Sequence, residues 1–170
     1  MAKRKPQVAV LMGSDSDLPV MEKCLKTLEF LGISFEVSVL SAHRTPDDVA
    51  KYVAKAEAGG VQVFVCAAGG AAHLAGAVVA RTLRPVIGVP LNATALGGLD
   101  ALLSTVQMPS GVPVATVAVG EMGASNAGFL AARMLALSDA GIRARLEAHR
   151  DEMVKGVLEK NARARGKSSS

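Results

Sequence analysis

Aromatic side chains are scarce in this sequence: its 170 residues include one Tyr, four Phe and no Trp. A core must therefore come from Val, Leu, Ile, Ala and Met, and a flavin finds little to stack on. Cysteine is scarcer still. Cys24 and Cys66 stand without a CxxC pair or metal-ligand spacing, so they read as small buried hydrophobes in a reducing compartment. No metal site is expected. Long apolar runs are missing too. After the basic residues 1–6, only 8–12 are continuously apolar, too short for a secretory core or a membrane span. The expectation is a cytoplasmic protein with no membrane partner.

The formal net charge is +4, but the excess is local. From Ile142 onward eight Lys/Arg face four Asp/Glu, which leaves 11 of each sign in residues 1–141. A neutral body without a basic stripe or interleaved aromatics argues against nucleic acid as a partner. The basic end, with Arg163, Arg165 and Lys167 running into Ser168, Ser169 and Ser170, reads as a flexible, solvated tail. What the chain does have is 50% hydrophobic residues and 17 Gly, a globular composition that fits one domain with a sizeable core. We expect a single α/β domain over 1–170, with its core in 7–137, a C-terminal helix in 138–162 and a tail in 163–170.

Apolar runs bounded by Gly or Pro place strands over 8–12, 35–40, 61–67, 85–89 and 114–119. Helical spacing places helices over 18–31, 46–59, 71–83, 99–106, 125–137 and 140–160, with Pro46, Asp47 and Asp48 suited to a helix start. Strands alternating with helices imply right-handed crossovers and a three-layer, doubly wound parallel sheet of five strands. The flavodoxin-like order 2-1-3-4-5 is expected. Residues 71–80 carry no polar group but His73, and 127–137 no charge but Arg133. Helices so bare need cover on every side, which predicts an obligate homo-oligomer. His149, among Arg and Glu, is expected to be solvated, while Met21, Met134 and Met153 fit helix-packing positions.

Three loops follow strands and hold groups suited to chemistry. Gly13-Ser14-Asp15-Ser16-Asp17 offers hydroxyls and backbone N–H groups at a helix start, which suit a phosphate. Plain N-capping explains the same residues, and the paired acids also resemble the phosphoacceptor site of a receiver domain. Ser41-Ala42-His43-Arg44-Thr45-Pro46 joins a proton carrier to a bidentate phosphate ligand. Ala67-Ala68-Gly69-Gly70-Ala71-Ala72-His73-Leu74 lacks the GxGxxG spacing of a dinucleotide fingerprint. Gly69 and Gly70 let a planar ligand approach the main chain, and His73 is either part of that site or a structural histidine. In strand order 2-1-3 all three loops share one rim and one crevice.

At these residues the sequence resembles the PurE family, specifically class I, the N5-carboxyaminoimidazole ribonucleotide mutases. The resemblance rests on 12–17 (MGSDSD), 41–46 (SAHRTP), 69–74 (GGAAHL) and 104–113 (STVQMPSGVP), in that order. It implies a flavodoxin-like fold, a homo-octamer, no metal or organic cofactor, and a small-molecule substrate. The implied reaction turns N5-carboxyaminoimidazole ribonucleotide into 4-carboxyaminoimidazole ribonucleotide in purine biosynthesis. By position, His43 matches the family's general acid/base. Ser14, Asp17 and Arg44 match its nucleotide contacts, with Ser16 and Ser41 helping to hold the phosphate. Gly69, Gly70 and His73 match the loop over the imidazole and the migrating carboxylate. Leu18 stands where many members have Trp, and Ala75 where Pro is usual. The animal-type class II enzymes, which carboxylate aminoimidazole ribonucleotide directly with carbon dioxide, lack the Gly-Gly-Ala-Ala-His-Leu form. They remain the alternative.

Overall fold

The computed structural model describes residues 5–167. Its order is β1 (Val8–Met12), α1 (Leu18–Phe30), β2 (Phe35–Val39), α2 (Pro46–Gly59), β3 (Val63–Gly69), α3 (Leu74–Val79), β4 (Val86–Leu91), α4 (Leu99–Val106), β5 (Ala115–Thr116), α5 (Glu121–Leu135) and α6 (Ala140–Lys167). The five strands form one parallel sheet, as the strand and helix pattern predicts, in the expected flavodoxin-like order β2-β1-β3-β4-β5. The register pairs Val8 with Phe35 on one side and with Val63 on the other.

β1 is apolar throughout because both faces of the sheet are covered. Val8, Val10 and Met12 enter a core with Met21, Cys24 and Leu28 of α1 and Ala124, Ala127 and Ala131 of α5. Ala9 and Leu11 enter the other, with Val49 and Val53 of α2 and Leu74 and Val78 of α3. Each fully buried Val, Leu or Met contributes roughly 1.5–3 kcal/mol. α4 lies on the α2–α3 face, so close that a Cβ on Gly88 of β4 would collide with Thr105. Ala75, where the family usually has Pro, is buried beside the same strand, and Leu18 opens α1 ahead of Pro19.

Several boundaries differ from the sequence expectation, each for a local reason. β5 keeps two residues of the expected 114–119. Gly88 and Pro90 of β4 both turn toward β5: their carbonyls accept from Val117 N–H at 3.1 Å and Gly120 N–H at 2.9 Å. Pro90 has no N–H to return, so the ladder stops there. α3 begins at Leu74, not Ala71, because His73 N–H turns back onto the Ala71 carbonyl at 2.8 Å. It ends at Val79, short of residue 83. α5 starts at Glu121, ahead of Ser125, since the Gly120 carbonyl already accepts from Ala124 N–H.

α6 continues to Lys167, so residues 163–167 are helical where a flexible tail was expected; Ser168 to Ser170 lie outside the described residues. His149 corrects another expectation. Its ring stacks on Phe129 with centroids 4.8 Å apart and meets Phe30 edge-on at 5.4 Å, so it packs against α1 and α5. Met21 is core and Met134 packs against it, but Met153 lies exposed on α6.

Both cysteines are buried, Cys24 under α1 and Cys66 inside β3. Burial pushes the Cys24 thiol up to about 12 and the Cys66 thiol well above its ordinary range, so neither forms a thiolate near neutral pH. The folded protein is expected to leave both unmodified by iodoacetamide, while the urea-unfolded chain reacts at both. Alkylation of either in the native state, read by mass spectrometry, would contradict this burial.

Candidate active site

The C-terminal ends of β1, β2 and β3 open onto a cavity of about 350 Å³. Its first wall is the turn after β1. Ser14 caps a short 3-10 turn, Asp15–Asp17: its hydroxyl accepts from Ser16 N–H at 3.3 Å, and Asp17 Oδ2 accepts from Ser14 N–H at 3.1 Å. This reciprocal capping holds the turn rigid. Ser16 Oγ donates to Ser14 Oγ at 2.9 Å, so the two hydroxyls are already clustered. Partial burial pushes the Asp17 carboxyl above its ordinary range, opposed by the Ser14 N–H. The capping residues Ser14 and Asp17, with Ser16, thus also line the cavity.

The second wall follows β2. Thr45 and Ser41 close a turn on each other: Thr45 N–H donates to the Ser41 carbonyl at 2.9 Å, and Ser41 N–H donates to Thr45 Oγ1 at 3.0 Å. Ser41 Oγ accepts from Arg44 N–H at 3.2 Å. This presents His43 and Arg44 as exposed side chains at the rim. Arg44 reaches across to β1, where one Nη2 N–H donates to the Gly13 carbonyl at 2.8 Å. The guanidinium has four further N–H donors for an anionic ligand.

The third wall follows β3. His73 meets His43 directly, with His43 Nε2 and His73 Nδ1 2.8 Å apart and the rings edge to face at 72°. Gly69 lines the cavity because its missing side chain admits the loop after β4: a Cβ there would collide with Ala93. Gly70 turns with φ +60°, a conformation that favours glycine, but does not itself line the cavity. Ser14, Ser16, Asp17, Ser41, His43, Arg44, Gly69 and His73 therefore share one cavity, and Gly70 only shapes its edge.

Sequence reasoning passed over Ala93. The loop after β4 holds no acid or base and one hydroxyl, on Thr94, and its place at the same rim follows only from β4 lying beside β3. Thr94 donates to Asp100 Oδ2 at 2.7 Å and anchors this loop to the first turn of α4. With Ala42, Ala68, Ala71 and Leu74, Ala93 gives the cavity a small apolar wall beside the histidines. None of residues 104–113, the fourth stretch of the resemblance, lines this cavity. Gly111, Val112 and Pro113 instead border a second cavity, of about 570 Å³, near the start of β4. Among the described residues, no group of three His, Cys, Asp or Glu is placed to hold a metal ion, and no helix is long and apolar enough to cross a membrane.

Gly69→Ala is expected to destabilise the fold by about 1–3 kcal/mol, the usual cost of overpacking. Chemical denaturation measures this, and wild-type stability would show that the loop after β4 is not held against β3.

A family model described as AIR carboxylase matches residues 7–156. The chain is 48% identical over 163 residues to the N5-carboxyaminoimidazole ribonucleotide mutase of Pyrococcus horikoshii, covering 96% of this chain and 91% of that one. It is 51% identical over 161 residues to the protein of the same name from Mycobacterium tuberculosis, covering 95% and 91%. A crystal structure of Treponema denticola PurE superposes with a TM-score of 0.85 at 29% identity, over 93% of this chain and 98% of that one. Three loops that meet at one rim of a 2-1-3-4-5 sheet, and a match over nearly the whole length, lead to one conclusion: this chain belongs to the AIR carboxylase family.

Proposed function

We propose that this protein is an isomerase of purine biosynthesis that converts N5-carboxyaminoimidazole ribonucleotide to 4-carboxyaminoimidazole ribonucleotide. The observation that carries the reading is one cavity lined by a pair of imidazoles, a guanidinium, clustered hydroxyls and a small apolar wall. Ser14, Ser16, Ser41 and Arg44 hold the phosphate, and Asp17 accepts from a ribose hydroxyl. Gly69, Gly70 and His73 set the loop over the imidazole, Gly70 through its turn. No metal or organic cofactor enters the scheme.

In this scheme the bond between the exocyclic nitrogen and the carboxyl carbon breaks, and carbon dioxide departs. The bonding pair stays on nitrogen, which takes a proton from His43. The ring carbon then attacks carbon dioxide and gives its own proton back to His43, so no net proton is consumed. One residue serves as acid and then base. Carbon dioxide is small and apolar and suits the wall of Ala42, Ala68, Ala71, Leu74 and Ala93. Holding it beside the nucleophilic carbon exploits proximity, worth about 7–11 kcal/mol in favourable cases. Phosphate contacts anchor the far end of the substrate while the carboxylate moves.

The working form is proposed to be a cytoplasmic homo-octamer. Leu83 is fully exposed in the single chain, and Leu137, Val157 and Leu158 are each more than half exposed. Apolar surface of this kind marks contact with further copies.

The deciding assay offers two feeds: N5-carboxyaminoimidazole ribonucleotide, or aminoimidazole ribonucleotide with dissolved carbon dioxide. Faster formation of 4-carboxyaminoimidazole ribonucleotide from the first is expected, and exclusive use of the second would assign a carboxylase instead. His43→Asn is expected to lose roughly 10²–10⁴-fold in kcat while staying folded; near-normal turnover would remove His43 from its role. Light scattering is expected to report eight copies of the 17.4 kDa chain, and a monomer would overturn the assembly.

A further inference from the structure

The contact between His43 and His73 has a consequence beyond substrate binding. Two neutral imidazoles joined by one hydrogen bond share a single proton across it, so each nitrogen's role decides the other's. The contact runs from His43 Nε2 to His73 Nδ1, at 2.8 Å. Neutral imidazole side chains favour the form with the proton on Nε2. With both rings in that form, His43 Nε2–H donates into the His73 Nδ1 lone pair. The opposite direction would force both rings into the less favoured form. Among the described residues, no other side-chain hydrogen bond engages either ring, so this contact alone sets the pair.

Each ring is carried by a backbone already held in place. His43 sits inside the turn closed by Ser41 and Thr45, at the end of β2. His73 sits just before α3, its N–H on the Ala71 carbonyl and its own carbonyl accepting from Ala77 N–H at 2.9 Å. The two loops belong to strands separated by β1, and the ring-to-ring bond is what sets one imidazole against the other.

We propose that His73 is a positioning residue that locks the proton of His43 on Nε2 and so leaves Nδ1 as the atom that gives and takes the proton in the reaction. The inference rests on the acid/base role of His43. While carbon dioxide is held, His43 is neutral, and a proton free to exchange between its nitrogens would leave the base without its lone pair at the reacting position. The acceptor on His73 prevents that exchange. When His43 regains its proton on Nδ1, the bond to His73 becomes charge-assisted and stronger.

Two variants separate this role from binding. His73→Leu removes the acceptor, and His73→Asn replaces it with an amide oxygen at nearly the same position. Imidazole ¹⁵N spectra of the ligand-free protein, with the three histidines assigned by substitution, report the proton on each His43 nitrogen. Expected are an Nε2–H form of His43 in the wild type and in His73→Asn, and a mixture of both forms in His73→Leu. In turnover, His73→Leu is expected to lose about tenfold or more in kcat with KM changed less than about threefold, and His73→Asn to restore most of kcat. An unchanged His43 spectrum in His73→Leu, or an effect confined to KM, would overturn the proposal. Should His43→Asn keep full turnover while the spectra behave as expected, the lock stands and the catalytic reading of His43 falls.

Discussion

β1 is hydrogen-bonded on both sides, to β2 and to β3, and the chemistry of this molecule hangs on that double pairing. Parallel strands point their C-terminal ends the same way, so the turns that follow β1, β2 and β3 must emerge side by side. Arg44 then reaches the Gly13 carbonyl from the neighbouring strand end, and His43 reaches His73 across the width of β1. A slip of one strand would separate these pairs by a residue's rise, about 3.3 Å, enough to break every one of them.

That register is secured by burial on two faces. Alternate residues of β1 go to opposite cores, so a one-residue shift would exchange Val8, Val10 and Met12 with Ala9 and Leu11 and leave both cores misfilled. Small residues then let the layers close up. Gly69 admits the loop carrying Ala93, and Gly88 admits α4. The fold is therefore shaped by what is missing at these two positions, and at Gly69 this reaches the site. Its exposed, cationic and imidazole-bearing rim stands on a rigid, apolar base, an arrangement suited to holding a reacting group in place.

The same economy of side chains leaves the single chain incompletely covered. α3 and α5 are built largely from Ala, Gly and Leu, and α6 carries Val154, Val157 and Leu158 toward solvent along a helix that extends well past its contacts with α5 and Phe30. Most of residues 106–113 are exposed as well, although Thr105 before them is buried against Gly88. None of residues 104–113, one of the four stretches that resemble the family, takes part in the cavity at the C-terminal rim.

The sequence by itself determined the order of strands and helices along the chain and a parallel five-stranded sheet, and it pointed to eight residues that the structure places around one cavity. Local signals carried these: unbroken apolar runs for doubly covered strands, and Ser, Asp, His and Arg grouped just past their ends. Other features were decided only by tertiary structure, because they depend on partners distant in the chain. Pro90 cut β5 short, since its missing N–H matters only once β5 lies beside it. Ala93 joined the site because β4 neighbours β3, and nothing in its own side chain announces a role. Gly70 was drawn in by its adjacency to Gly69, yet its left-handed turn places it at the edge. The His43–His73 bond needed two loops 30 residues apart to meet at 2.8 Å, a distance that no spacing in the sequence encodes.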